Sequence, residues 1–244
     1  RDPITVTVPA SKKKPIGIID TVLVRFPNLD LTDVGLHKIR FISQLPGDLR
    51  TSNDTITKLL YSGAYELGAI TNFTSSNGEY EITCNKAKVK LQFLRADIFR
   101  IWMAYDGDFT NPAGNDIVIN LPEKAATVSQ SDEGDYYLFK TADIALRAYK
   151  NPLRFALYRA DNQTLVWEEK KGMTYGEQTV QYITRGEKEY YYGGGMQNGR
   201  FSHRGKTIEM DIDYNWEDGG NPNPAPFFMS SNGWGALRNT YAPG

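Results

Sequence analysis

Apolar side chains recur at every second position through most of this 244-residue chain. In KAKVKLQF, Ala87, Val89, Leu91 and Phe93 share one side, while Lys86, Lys88, Lys90 and Gln92 share the other. Successive side chains of a strand point to opposite faces, so this is a strand with one buried and one wet face. TADIALRAY (141–149) alternates in the same way, and LRFALYRADNQTLVWEE (153–169) reads as a hairpin across Asp161-Asn162-Gln163. DIFRIWMAY (97–105) is apolar on both faces apart from Arg100, which predicts a central strand. ITVTV (4–8), IGIIDTVLVRF (16–26) and GLHKIRFIS (35–43) are further strand candidates. Turn residues part these runs every 8–15 positions, the rhythm of an all-β antiparallel β-sandwich.

The exceptions are few. SNDTITKLLYSGAYELG (52–68) is the one stretch that could hold a short helix, so at most one is expected. NPAGND (111–116), SQSDEGD (129–135) and EDGGNPNPAP (217–226) read as loops within a single domain over 1–244. TIEMDIDY (207–214) alternates as a strand, and Asn232-Gly233 predicts a two-residue hairpin between Phe227–Ser230 and Trp234–Arg238.

Composition excludes several functions. Net charge is −1, so no electrostatic argument favours nucleic acid or an anionic membrane as partner. No apolar run approaches the ~18 residues of a spanning helix. Cys84 is the sole cysteine and His37 and His203 the only histidines. They allow no intrachain disulfide and no cysteine or histidine metal cage. The sequons at Asn53, Asn72 and Asn162 lean towards a secreted or periplasmic location. The chain starts Arg1-Asp2-Pro3 and stops after Pro243-Gly244, which reads as a trimmed piece of a longer polypeptide.

The chemistry-bearing residues gather late, around YYYGGGMQNGRFSHRG (190–205). Three glycines contribute no packing and cost backbone entropy, so such a run is kept for positive φ or close backbone approach. GGGMQNG lacks the Lys-Ser/Thr ending and the strand–loop–helix context of a phosphate loop, so no nucleotide or other cofactor is expected. Ser202 and His203 are adjacent and point to opposite faces of an extended chain, which discards them as a catalytic pair. Of the carboxylates, Glu209, Asp211 and Asp213 fit a plain solvent-facing strand side. Asp218 sits instead in a glycine-rich loop, among Gln197, Asn198, Asn215 and Asn221 and near Tyr190–Tyr192, Trp216 and Trp234. Aromatic faces stack on the apolar faces of sugar rings, although core packing is the commoner fate of any one of them.

EYYYGGGMQNGRFSHRGKTIEM, followed by NWEDGGNPNPAPFFMSSNGWGALRNT, resembles the N-terminal domain of glycoside hydrolase family 31. Its members carry a Y-G-x-G turn, an N-x-D-G-G/T loop and an apolar P-F-F/Y-x-S/T-x-x-G-Y/W-G hairpin. The spelling here is similar to the branch with dextranases, 6-α-glucosyltransferases and α-N-acetylgalactosaminidases, and the likeness covers roughly 77–244. It implies a galactose-mutarotase-like supersandwich ahead of a catalytic (β/α)₈ barrel expected after residue 244. It also implies no catalytic residue within this chain, an oligosaccharide as substrate, and the barrel as partner domain. The N-x-D-G-G match makes Asp218 the residue that contacts the sugar beyond the cleaved bond, with Trp216 and Asn221 as secondary candidates. One departure stands out: the family's Arg-Asp pair is Glu217-Asp218 here. A free-standing carbohydrate-binding sandwich and a structural brace for a catalytic domain are the alternatives.

Overall fold

The computed structural model describes residues 25–26, 35–43 and 55–239, less 86, 106, 108, 110–125, 177, 200 and 212–214. The expectations at 4–8, 16–24 and 111–116 lie outside the described residues. The chain divides into two units, Arg1–Gly63 and Ala64–Gly244.

In the first unit, β1 (Gly35–Ile42) pairs antiparallel with β2 (Thr55–Ser62), from Gly35↔Ser62 to Ile42↔Thr55. The helix expected within 52–68 is not formed. Thr55-Ile56-Thr57 places three β-branched residues in a row, which are stiff in a helix and fit a pleated strand. Gly63, at φ 67°, then breaks the run.

The second unit is built on two facing antiparallel sheets. One has the order β4 (Ile70–Ser76), β5 (Glu79–Cys84), β6 (Lys88–Phe93) and β7 (Phe99–Ala104). The other comprises β8 (Ser129–Asp132), β9 (Tyr136–Lys140), β10 (Ile144–Lys150), β11 (Leu153–Arg159) and β12 (Leu165–Glu168), in the order β12-β11-β10-β9-β8. Their inner faces share one core. Ile82, Val89, Leu91 and Phe93 of the first sheet meet Phe139, Leu146, Leu153 and Phe155 of the second, each at most 1% exposed. Tyr80 and Phe93 reach across to Phe139, with ring centroids 4.8 and 6.0 Å apart. This is a sandwich with alternating inward residues.

Two strands depart from their sequence reading. DIFRIWMAY forms β7, which closes one side of its sheet among the described residues instead of lying at its centre. The outer-face Trp102 is flanked by cations: the Arg100 guanidinium lies 3.9 Å and Lys90 Nζ 5.7 Å from its ring. The expected loop at 129–135 contains strand β8, followed by a turn in which Gly134 N donates to Asp132 Oδ1. All four β8 residues are exposed, so this polar edge strand carries no alternation to read.

The hairpin between β11 and β12 is as expected. Asp161 accepts from the Thr164 hydroxyl and from the Thr164 and Gln163 amides, which holds its carboxyl down to about 2. Asn162 turns at φ 57° and accepts from Arg147 Nε at 2.9 Å.

Two smaller sheets complete the unit among the described residues. β3 (Ala64–Glu66) pairs with β13 (Thr174–Gly176). β14 (Tyr191–Met196), β15 (Asn223–Ser230) and β16 (Trp234–Leu237) form a three-stranded sheet in that order. Tyr191, Phe228 and Trp234 share its inner face, and Trp234 meets Trp167 of the sandwich core at 6.1 Å. The β15–β16 loop has three residues, Ser231–Gly233, because Ser230 pairs with Trp234. Gly233 takes φ 78° and its amide donates to Ser230 O, as a type I turn closed by a left-handed glycine does.

Candidate functional site

The three-stranded sheet owes its shape to the glycine run. Gly193, Gly194 and Gly195 adopt φ of 106°, 76° and 80° in succession, a conformation closed to ordinary side chains. The register slips there, from Gly193↔Phe228 to Gly195↔Pro224. Close approach is needed as well. A Cβ on Gly193 would fall 2.7 Å from Phe227 O, and one on Gly195 would fall 2.3 Å from Asn223 O. The bulge bends β14 against β15, and with no N–H at Pro224 or Pro226 a regular ladder was unavailable there.

A Cβ on Gly194 would fall 2.9 Å from Ile208 Cδ1, so the segment after the turn packs on the same bulge. That segment is not the strand expected at 207–214: 207–211 form none, and 212–214 lie outside the described residues. Its alternation survives as contact, with Ile208 and Met210 half-buried and Glu209 and Asp211 exposed. The segment is tethered by side chains rather than by a ladder.

Asn221 supplies that tether. Its carboxamide donates to Glu209 O and to Asp211 O, and its oxygen accepts from Gln197 Nε2. Gln197 in turn donates to Gly194 O at 3.0 Å. Asn221 thus joins the glycine bulge, the 209–211 segment and its own loop, and its polar atoms are already engaged.

Asp218 stands differently. The loop 215–220 lies against the turn at Asn198-Gly199 through Asn198 N to Gly220 O (3.1 Å) and Gly219 N to Asn198 O (3.0 Å). Capping within the loop belongs to Asn215, whose Oδ1 accepts from Glu217 N at 2.9 Å. Asp218 is exposed and projects over the bare Cα of Gly199. Trp216, two residues earlier, is 69% exposed, and Phe201 is 86% exposed. Asp218 and Trp216 therefore stand together on an outward loop, while Asn221 sits behind them as a strut.

The scaffold beneath is polar and closed. Glu189 is 3% exposed. It accepts from Ser230 Oγ, from Trp234 Nε1 at 2.9 Å and from Gly186 N at 2.8 Å. Burial pushes its carboxyl upwards, but these donors and the Tyr191 hydroxyl outweigh it and hold the carboxyl below its ordinary value. Burial, then the carboxylate beside it, push the Tyr191 phenol up to about 12. Arg204 donates to the carbonyls of Gly186, Glu187 and Glu189 and so fixes the entry to β14. His203 is buried with Nε2 2.9 Å from Gly193 O, so it serves the bulge and not a catalytic pair. Sequence reasoning passed over Glu189, because its partners Ser230 and Trp234 lie more than forty positions away.

Residues 88–244 match the glycosyl hydrolase 31 N-terminal galactose mutarotase-like domain. The chain belongs to glycosyl hydrolase family 31. It is 28% identical over 186 residues to alpha-glucosidase 2 of Bacillus thermoamyloliquefaciens, covering 73% of this chain and 23% of that protein. A family 31 dextranase of Flavobacterium johnsoniae, solved with isomaltotriose, superimposes with a TM-score of 0.63 at 23% identity, over 70% of this chain and 22% of that one. The cycloalternan-forming enzyme of Listeria monocytogenes, solved with a pentasaccharide substrate, gives 0.60 at 19% identity, over 76% and 19%. These structures share the fold, and this family 31 chain spans about a fifth of their length.

Proposed function

We propose that this family 31 domain serves a retaining α-glycosidase or transglycosylase, in which Asp218 contacts the acceptor-side sugar of an α-linked oligosaccharide. The observation that carries the reading is the state of Asp218. Its carboxylate is exposed on a loop braced by backbone hydrogen bonds, while Asn215 does the capping. A carboxylate free of turn duty can accept from two sugar hydroxyls, and Trp216 beside it offers a flat apolar face. The catalytic nucleophile and acid/base would come from a (β/α)₈ barrel of the same polypeptide: one carboxylate attacks the anomeric carbon and the other protonates the leaving oxygen. Support for a longer parent is the coverage of 19–23% in the relatives named above.

A bracing role accompanies this one and rests on a separate observation. Phe227 pairs with Leu237, and Met229 with Tyr192, on the outer face of the three-stranded sheet. Phe227, Met229 and Leu237 are 42–48% exposed, an apolar face suited to packing against the barrel.

The test is Asp218→Ala in the polypeptide that carries the barrel. A lost charged hydrogen bond of this kind lowers kcat/KM on oligosaccharides by about ten- to a hundredfold. A small aryl α-glycoside, which leaves the acceptor position empty, is expected to react at nearly the parent rate. Equal losses on both substrates, with a lower melting temperature, would refute the contact and leave Asp218 a loop-forming residue.

A further inference from the structure

Two carboxamides are hydrogen-bonded to each other behind the Asp218 loop. Gln197 follows β14 and is half-buried, and its Nε2 donates to Gly194 O at 3.0 Å and to Asn221 Oδ1. Both N–H groups of one nitrogen are thereby used on two acceptors. With its oxygen turned to Gln197, Asn221 has its own nitrogen turned to the carbonyls of Glu209 and Asp211. Each carboxamide is oriented by the bond before it, and Gln197 sets the direction.

The pair sits beside the bonds that seat the loop. Asn198, next after Gln197, donates to Gly220 O at 3.1 Å and accepts from Gly219 N at 3.0 Å. Asn221 comes next after Gly220. The side-chain bond from 197 to 221 therefore adds a third rung to two backbone rungs and fixes their alignment. Further bonds lie within the loop: Glu217 N donates to Asn215 Oδ1 at 2.9 Å, and Gly220 N to Glu217 O at 3.0 Å. These internal bonds keep the loop's shape, whereas the rungs decide where it stands. A slip of the loop along 197–199 would carry the Asp218 carboxylate off the space over Gly199 that it occupies.

We propose that Gln197 is a positioning residue of the acceptor site, holding the loop at 215–221 where Asp218 stands over Gly199. The kinetic consequence rests on the Asp218 contact proposed above, and the placement of the loop does not. Gln197 acts through Asn221 and needs no contact with sugar. A glutamine is required for its nitrogen: a carboxylate of the same shape would turn lone pairs towards Gly194 O and Asn221 Oδ1.

Hydrogen exchange of the Asn198 and Gly219 amides in the full chain tests the placement, using Gln197→Glu and Gln197→Ala. Both amides are expected to exchange at least about fivefold faster in either variant, as for the loss of one net hydrogen bond. Gly233 N, which donates to Ser230 O beyond the other end of β15, is expected to keep its rate. Parent-like exchange in Gln197→Glu, or acceleration of Gly233 along with the other two, would overturn the proposal. In the polypeptide that carries the barrel, Gln197→Glu is expected to lower kcat/KM on oligosaccharides about fivefold or more and to spare a small aryl α-glycoside. Equal losses on both substrates would overturn the positioning role. If Asp218→Ala leaves oligosaccharide turnover unchanged, the acceptor contact falls, and the exchange rates alone decide for or against Gln197.

Discussion

Asp218 and Gly199 share one space. A Cβ built on Gly199 would fall 1.3 Å from Asp218 Oδ1, so the carboxylate can stand there only because the residue opposite has no side chain. Gly199 also takes φ +70°. The glycine of the turn and the aspartate of the loop therefore work as a pair, and each can be tested through the other.

Gly199→Ala is expected to evict the carboxylate without removing it. In a polypeptide carrying the catalytic barrel, oligosaccharide turnover should then fall by about as much as in Asp218→Ala. The double variant should fall no further, because residues sharing one interaction are not additive. Additive losses in kcat/KM would show that the two positions act separately.

Gly195 and Gly205 separate close approach from backbone conformation. Both have left-handed φ, 80° and 69°. A Cβ on Gly195 would meet Asn223 O at 2.3 Å, whereas one on Gly205 meets nothing within 4 Å. Gly205→Ala should cost only the conformational term, about 1–2 kcal/mol. Gly195→Ala adds an overpacking term of roughly 1–3 kcal/mol, since backbone must move. Urea unfolding of both variants checks the ranking, and equal costs would remove close approach as the reason for the glycine run.

The outer face of the three-stranded sheet yields a third expectation. With Phe227, Met229 and Leu237 on one surface, the isolated chain should bind a hydrophobic dye and self-associate at high concentration. Met229→Lys and Leu237→Lys together should suppress both at little cost in stability, because the side chains are exposed. A monomer that binds no dye, measured by fluorescence and sedimentation, would argue against a covered face.

How far the sequence reveals this structure depends on where each signal resides. Ala87, Val89, Leu91 and Phe93 alternate with lysines and glutamine, and the four are at most 1% exposed. A strand with one wet face writes its burial into its own residues. β8 does not, because an edge strand polar on both sides looks like a loop. The stretch at 52–68 is the one place where a short helix is expected, while the β-branched run at its start fits a strand partner of β1. The site divides in the same manner. The N-x-D-G-G spelling marks Asp218 as a loop carboxylate, but nothing local marks Asn221 as a strut, since its acceptors Glu209 O and Asp211 O are backbone atoms. Glu189 reads as one more surface charge in GEKEY until Ser230 and Trp234 arrive from strands β15 and β16.

Glu169 gives the pH prediction. It is 1% exposed in the sandwich unit, with Oε2 accepting from Phe155 N at 2.7 Å and Oε1 from Gln181 Nε2 at 2.6 Å. Burial raises its carboxyl from 4.5 to about 7, against the pull of those donors and of Arg154. The folded chain therefore holds a proton here that the unfolded chain has released. Stability from this group is complete below the unfolded value and is lost as pH rises through about 7. The gap corresponds to about 3 kcal/mol at most. Glu169→Gln keeps the shape and an acceptor for Phe155 N but cannot ionise. The variant should match the parent near pH 5 and exceed it near pH 8, by on the order of 2 kcal/mol. Taking the difference between variant and parent cancels the two histidines and the surface carboxylates. Urea unfolding across that range decides the matter: parallel curves would mean that Glu169 titrates alike in both states, and a variant less stable at pH 8 would mean that its charge is held by the fold.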